Sequence, residues 1–191
     1  MIQVILQSIE NDEQRNAIEQ IYHLYGKMML AKAYSILNNT HDAEDAVMET
    51  FYRISKSAQD FIDPKHPATV ALISIYTRNV AINMYRRNQR YSKIVHSDVD
   101  VDEVVNEAAA EDVAELIISD ENMEIVRRAI HALDDMYKDV IILKYFYHKR
   151  NVEIAEILGI DSNRVNGRIY RAKQKIKEII GEDGYARIQN R

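Results

Sequence analysis

Residues 151–177 read NVEIAEILGIDSNRVNGRIYRAKQKIK, and their pattern predicts the local fold of the C-terminal part of the chain. Apolar residues recur at helical spacing from Ile154 to Leu158, which predicts a short amphipathic helix. Gly159 predicts the end of this helix, because glycine adopts positive φ just past a helix terminus without a Cβ clash. Asp161 is the expected N-cap of a second helix. Two helices joined by so short a turn predict a helix-turn-helix.

The second helix of this motif has one packing stripe and one polar face. The stripe recurs at three- and four-residue steps and consists of Val165, Ile169, Ala172, Ile176 and Ile179. The polar face carries side chains that can hydrogen-bond to base edges and phosphates, namely Ser162, Asn163, Arg164, Asn166, Arg168, Arg171 and Lys173. Residues 162–177 contain no acid, whereas a solvated helix face usually mixes both signs of charge. The pattern therefore favours DNA contact over a merely solvated surface.

The composition predicts an all-α protein. The 191 residues suit one large or two small domains, 47% of them are apolar, and the chain has two prolines and five glycines. Helical periodicity recurs along the chain, and no stretch alternates long enough to require a strand. The absence of cysteine excludes disulfides and thiolate metal sites and suits a reducing compartment. No signal peptide or membrane-spanning segment is expected, so we predict a cytoplasmic protein without membrane insertion.

Charge is unevenly distributed along the chain. The net charge of −5 disfavours binding to phosphates, but residues 97–124 hold many acids and no lysine or arginine. This segment predicts an acidic, flexible linker between two small helical domains, the second of which carries the helix-turn-helix. We expect the first domain at 1–90, the linker at 91–120, the second domain at 121–181 and a tail at 182–191.

Metal, cofactor and catalytic sites are not expected. Asp98, Asp100 and Asp102 alternate as in a calcium loop, but Glu103 and Ala109 occupy the positions where an EF-hand requires Gly and Glu. The six histidines show no ligand spacing, and no Ser-His-Asp order or Gly-rich phosphate loop is present. We therefore expect no metal, no cofactor and no enzymatic activity.

An acidic helix is predicted near residue 40. Asn39 or Thr40 can cap it, and acids in its first turn favour the positive end of the helix dipole. Its inward positions are Ala43, Ala46, Val47, Thr50 and Phe51. Its outer face carries Asp42, Glu44, Asp45 and Glu49. From the residues alone, this face fits a solvated surface as well as a surface for a protein partner.

A third long helix is expected after a loop at 60–67, because Pro64 and Pro67 disfavour continuous helix there. The C-terminal half of this helix mixes arginine, asparagine and tyrosine, which can bind phosphate, hydrogen-bond to bases and stack on an unpaired base. The candidate residues are Arg78, Asn79, Asn83, Arg86 and Arg87. A basic helix C-terminus, which is favourable in itself, is the alternative.

These segments, in this order, resemble the bacterial RNA polymerase sigma factors of the extracytoplasmic-function (ECF) group, which have only conserved regions 2 and 4. The resemblance spans nearly the whole chain. It implies that the acidic helix docks on core RNA polymerase and that the arginine-rich helix opens and reads the minus-ten promoter element. The loop at 60–67 is then the expected holder of a flipped base, and the helix-turn-helix the reader of the minus-thirty-five element. Core RNA polymerase, promoter DNA and an anti-sigma factor are the implied partners.

The chain departs from the family pattern at several positions. Leu72 lies near the point where the family often has tryptophan, and Asn83 lies where aspartate is frequent. Arg150 replaces the usual serine cap, so Asn151 is the alternative cap. Gly167 costs about 1 kcal/mol inside a helix relative to alanine. One hypothesis is that this glycine lets the DNA backbone approach closely.

The main prediction is a sigma factor that binds core polymerase and directs promoter-specific transcription initiation. The alternative is a helix-turn-helix regulator whose N-terminal helices bind a partner or ligand without recruiting polymerase. A helical adaptor that binds only proteins is disfavoured by the arginines at 164, 168 and 171. In vitro transcription with core polymerase distinguishes the sigma factor from the regulator.

Overall fold

The computed structural model describes residues 2–93 and 124–181, and every regular element in those two ranges is helical. The chain divides into two compact units between Ala109 and Ala110. The prediction of an all-α protein with two helical domains is therefore confirmed. The linker predicted at 91–120, apart from its first three residues, and the tail at 182–191 lie outside the described residues.

Within residues 2–93, the first unit contains three long helices and two short helical segments. In chain order these are α1 (Ile2–Gln7), α2 (Asp12–Leu37), α3 (Thr40–Ser55), a 3-10 helix (Ala58–Phe61) and α4 (Pro67–Lys93). Helices α2, α3 and α4 pack against one another around one core. Arg15 ties α1 to α2, because its guanidinium donates to the carbonyl oxygens of Leu6 at 3.2 Å and Ile9 at 2.6 Å.

Two asparagines make the corner between α2 and α3. Asn38 adopts the left-handed region with φ 51°, and its N–H donates to the Tyr34 carbonyl at 2.8 Å. Asn39 is the N-cap of α3, since its Oδ1 accepts from the Asp42 N–H at 3.0 Å. Of the two predicted caps, Asn39 is therefore the correct one. All five predicted inward positions of α3 are buried.

The first half of α4 forms the centre of the first unit. Each residue from 71 to 80 is buried, so this part of the helix is covered on every side. Two of its buried polar side chains bond within the helix: Thr77 Oγ1 donates to the Ile73 carbonyl at 2.8 Å, and Asn79 Nδ2 donates to the Ile75 carbonyl at 2.9 Å. These bonds offset the cost of burying polar groups.

The part of the second unit that the structure describes, residues 124–181, contains four α-helices and a π-helical segment. They are α5 (Glu124–His131), α6 (Asp135–Ile141), the π-helical segment (Ile142–Phe146), α7 (Asn151–Leu158) and α8 (Ser162–Ile180). Helix α8 packs against α5, α6 and α7, so the longest helix of the unit lies along its core. Its buried residues are Val165, Ala172 and Ile176.

An ion pair fixes the middle of α8 to the corner between α5 and α6. Lys175 Nζ lies 2.8 Å from Asp134 Oδ2 and 5.0 Å from the centre of the Tyr137 ring. The hydrogen bond to Asp134 raises the pKa of the Lys175 ammonium. Both side chains of the pair are more than two-fifths exposed, so water screens the attraction and its contribution to stability is small.

Candidate nucleic-acid interface and polymerase-docking surface

The turn between α7 and α8 has the geometry of a helix-turn-helix. Gly159 takes φ 64° and ψ 39°, and the N–H of Ile160 returns to the Ala155 carbonyl at 3.0 Å. Asp161 caps α8, because its Oδ1 accepts from the Arg164 N–H at 2.9 Å. The predicted helix end, turn and N-cap are confirmed.

The polar face of α8 is accessible. Five of its seven predicted DNA-binding residues are exposed and two are half-buried; the exposed ones are Asn163, Arg164, Asn166, Arg171 and Lys173, and the half-buried ones Ser162 and Arg168. The predicted packing stripe is shorter than expected, because Ile169 is only half-buried and Ile179, in the last turn, is 48% exposed. The structure thus places the predicted residues on one side of a helix whose other side is packed. DNA contact by these residues stays a prediction.

Two of these side chains are held by neighbours within the unit. Arg164 Nε lies 3.2 Å from Asp161 Oδ2, so the N-cap residue of α8 also holds the guanidinium of a predicted base reader. Lys173 Nζ lies 5.4 Å from the centre of the exposed Tyr145 ring. Both contacts limit the rotamers that these long cations sample before a ligand arrives.

The expectation that Asn151 caps α7 is wrong. The N-cap is Arg150, and its backbone N–H is satisfied by Glu153, the third residue of the helix. Glu153 Oε2 accepts from the Arg150 backbone N–H at 2.8 Å and from its Nε at 2.9 Å. The backbone bond to Arg150, together with the side-chain bond, lowers the pKa of the Glu153 carboxyl. Because Glu153 provides this bond, the side chain of Asn151 is available for another contact.

Asn151 connects the π-helical segment to α8. Its Oδ1 accepts from Lys144 Nζ at 2.9 Å, and its Nδ2 donates to Asn166 Oδ1. Asn166 is one of the predicted DNA-binding residues, whereas no local sequence pattern singles out Lys144 or gives Asn151 this role. The contact joins three elements that only the tertiary fold brings together, so residue spacing alone carries no signal for it.

The acidic outer face of α3 is present as predicted, and its four residues differ in their partners. Asp42 Oδ2 accepts from Asn88 Nδ2 of α4 at 3.0 Å. Glu49 Oε1 lies 2.8 Å from Arg53 Nε, one turn further along α3. Glu44 and Asp45 are exposed, and Asp45 has a long contact, 3.9 Å from its Oδ2 to His41 Nε2. These two carboxylates are therefore the most available part of the acidic face, although a role in polymerase binding stays a prediction.

The five candidate minus-ten residues of α4 do not share one environment. Arg78 and Asn79 are buried, with exposed fractions of 6% and 8%. Asn83 and Arg86 are half-buried, and Arg87 is exposed. Of the five, only these last three are at least partly accessible to solvent. Arg78 and Asn79 lie in the segment of α4 that forms the domain centre.

A surface groove brings the acidic face of α3 beside the basic half of α4. Its polar lining includes Asp45 and Glu49 from α3 together with Asn83 and Arg87 from α4. The hydrogen bond from Asn88 to Asp42 spans the same pair of helices. The residues predicted to bind polymerase and those predicted to bind the minus-ten element therefore lie on adjoining surfaces of one domain.

Residues 2–93 and 124–181 also bear on metal binding and on membrane insertion. Over those ranges, no group of three or more His, Cys, Asp or Glu side chains is placed to hold a metal ion. None of the helices there is both long enough and apolar enough to cross a membrane. The calcium-loop pattern at 98–102 lies outside the described residues.

Comparison with known proteins matches both units to one class of transcription proteins. A family model described as Sigma-70 region 2 matches residues 21–91, and a model described as Sigma-70, region 4 matches residues 123–176. The two matched segments together make up more than half of the chain. They correspond to the helical bundle of α2 to α4 and to the helix-turn-helix unit.

Similar curated proteins span almost the same length. The chain is 26% identical over 189 residues to the ECF RNA polymerase sigma factor SigW of Bacillus subtilis, covering 93% of this chain and 96% of that protein. It is 24% identical over 164 residues to RNA polymerase sigma factor YlaC of the same organism, covering 86% and 92%. A solved structure of CnrH in complex with the cytosolic domain of CnrY aligns with 22% identity, coverage of 93% and 95%, and a TM-score of 0.35. By the two family models and the curated relatives, the chain belongs to the sigma-70 family, in its ECF group.

Proposed function

We propose that this sigma factor binds core RNA polymerase through the outer face of α3 and selects promoters through α4 and α8. Sigma factors are initiation factors, and RNA synthesis itself is catalysed by the polymerase. The division of work follows the two matched regions, with region 2 at α2 to α4 and region 4 at the helix-turn-helix. We take these two units as the functional domains, at 1–90 and 121–181.

The observation that carries this proposal is the surface of α8. The helix follows a turn of helix-turn-helix geometry, buries one stripe, and exposes arginine, asparagine and lysine along residues 162–177, which contain no acid. Such a face supplies donors for base edges together with positive charge for phosphates. We propose that it reads the minus-thirty-five element with the seven residues from Ser162 to Lys173 given above.

For the minus-ten element, the proposal rests on Asn83, Arg86 and Arg87. These three follow one another on the accessible half of α4, and arginines there can hold the phosphates of an opened strand. Arg78 and Asn79, which the sequence pattern also suggested, act in this proposal by supporting the helix from the core. The loop at 60–67 remains the proposed holder of a flipped base.

The test is transcription in vitro with purified core polymerase, the full chain and a library of promoter fragments. The chain should produce transcripts that start at a defined subset of the fragments, while core polymerase alone should not. A helix-turn-helix regulator without polymerase-docking function would bind DNA in the same mixture and yield no specific start. That result would contradict the sigma-factor proposal and favour a helix-turn-helix regulator.

Membership in the family supports two further parts of the proposal. We infer that an anti-sigma factor binds the chain and blocks its docking surfaces, and that the protein works in the cytoplasm, where polymerase and chromosome meet. Affinity capture of the chain from cells under non-inducing conditions should recover one stoichiometric partner. Recovery of polymerase alone would speak against such an antagonist.

A further inference from the structure

We propose that Lys144 and Asn151 orient the amide of Asn166, so that α8 presents a hydrogen-bond donor at this position. The group it would bind is a pair of acceptors, either the guanine edge in the major groove or phosphate oxygens, and not adenine. This inference rests on the proposed promoter-reading function of α8. It adds two positioning residues, Lys144 and Asn151, that lie outside the recognition helix.

The orientation follows from the chemistry of the lysine. An amide oxygen and an amide nitrogen look alike to most structural methods, and their assignment depends on their neighbours. The ammonium of Lys144 only donates, so the atom of Asn151 that lies 2.9 Å from it must be the oxygen. The nitrogen of Asn151 then faces Asn166 and can only donate, so the atom it meets on Asn166 must be the oxygen.

These two hydrogen bonds form a relay from Lys144 through Asn151 to Asn166. The free end of the relay is the amide nitrogen of Asn166. The side chain of Asn166 is exposed, and among the described residues no acceptor is recorded for its Nδ2. Two N–H donors remain available on the face of α8 that we propose to meet DNA. The oxygen is directed toward α7 and away from this free end.

This arrangement determines which base edge suits Asn166. The usual contact of asparagine with adenine needs the oxygen and the nitrogen of one amide on the same base edge, to match N6 and N7. With its oxygen turned toward Asn151, Asn166 presents mainly its Nδ2 donors at the free end, and these fit O6 and N7 of guanine or the oxygens of a phosphate. Because exposed hydrogen bonds contribute modestly, we expect guanine to be preferred over adenine by about three- to tenfold.

The test uses holoenzyme made from core polymerase and the full chain, with duplex DNA randomised across the upstream element. Sequencing of the bound fraction gives base preferences for the wild type, Asn166→Ala, Asn151→Ala and Lys144→Met, and Lys149→Met serves as a control for the loss of one charge. In the wild type, the position that depends on residue 166 should favour guanine. In Asn151→Ala and Lys144→Met the amide can rotate, and adenine should rise relative to guanine by about three- to tenfold. Thermal unfolding of each variant identifies any loss of fold.

The same data show whether Asn166 donates to a guanine edge or to a phosphate. If Asn166→Ala weakens all sequences equally and reduces the salt dependence of binding, the acceptor is a phosphate, and Asn151→Ala should cause part of the same uniform loss. The proposal is overturned by an adenine preference at that position in the wild type. It is also overturned if folded Asn151→Ala and Lys144→Met match the wild type in both affinity and base preference. A wild-type holoenzyme that selects no upstream sequence would instead contradict the proposed function.

Discussion

Gly167 lies within α8, on the helix that carries the proposed DNA contacts, and packing does not explain its presence. A Cβ added there would meet no atom of the described residues within 4 Å, apart from the local helix backbone and chain neighbours. Glycine costs about 1 kcal/mol relative to alanine inside a helix, so alanine would be the more stable choice in the free protein. A bare backbone here suits the close approach of a partner.

Gly167→Ala should therefore stabilise the second unit while weakening its binding to promoter DNA. We expect a gain of about 1 kcal/mol, a rise of several degrees in the unfolding temperature by calorimetry, and a loss of affinity in holoenzyme binding assays. Gly26→Ala is the matched control, because a Cβ at Gly26 in α2 also meets no described atom within 4 Å. The idea of close approach fails if Gly167→Ala binds promoter DNA as tightly as the wild type.

Asp161 has two separable roles at the start of α8. It caps the helix through the Arg164 N–H, and its other carboxylate oxygen holds the Arg164 guanidinium. Asp161→Ala should cost about 1 kcal/mol in the free energy of unfolding of the second unit, measured by chemical denaturation. Asp161→Asn keeps an oxygen that can accept the backbone bond, so it should cost much less. Equal losses in the two variants would show that charge, and not capping, carries the effect.

At the level of elements, the start of α7 should be sensitive to acid. The hydrogen bonds from Arg150 hold the pKa of Glu153 below its usual value of 4.5. A carboxyl with a lowered pKa in the folded state adds stability above its unfolded pKa, and this contribution is lost as the pH falls through the folded value. Glu153→Gln should therefore lower the unfolding temperature at neutral pH, with a difference from the wild type that shrinks below about pH 4. A difference that stays constant across this range would contradict the mechanism.

For α3, the exposed pair Glu44 and Asp45 should govern docking on polymerase. Neutralising both, by Glu44→Gln with Asp45→Asn, should weaken binding to core polymerase by about two- to tenfold, most strongly at low salt. Glu13→Gln removes one exposed acid from the first turn of α2 and serves as the control. The affinity is measured by fluorescence titration of labelled chain. Unchanged affinity in the double variant would show that this part of α3 does not form the docking surface.

How far the sequence predicts an element depends on the range of its contacts. The corner at Asn39, the turn at Gly159 and the cap at Asp161 were predictable because each rests on bonds within a few residues along the chain. The burial of Arg78 and the relay through Asn151 were not. Both depend on which helices pack together. The sequence around Arg78 is typical of a basic surface, and only the packing of the surrounding helices shows that Arg78 is buried.

Across the whole molecule, opposite charges occupy different segments. The net charge of −5 coexists with the acid-free residues 162–177 of α8, because many acids lie at 97–124. The proposed function requires the basic surfaces to find promoter DNA without being retained on random sequence. Acids in the same chain can compete with phosphates for those surfaces, at a strength that depends on salt.

Replacing the acids of 97–124 by their amides should therefore raise the affinity of the free chain for random DNA. The expected increase is at least severalfold at low salt and becomes smaller as salt is added. Anisotropy titration of a labelled duplex of random sequence measures it. As a control, the same variant should still unfold like the wild type. No change in that titration would show that these acids do not restrain non-specific binding.

The complete burial of residues 71–80 in α4 bears on how promoter choice can evolve. Substitutions in that half of the helix disturb packing on all sides and are costly. The more exposed half, with Asn83, Arg86 and Arg87, can change at a lower cost to the fold. A single helix thus joins a segment whose residues are constrained by packing to a segment whose residues are less constrained. Related chains could acquire new promoter preferences in the second segment while inheriting the first almost unaltered.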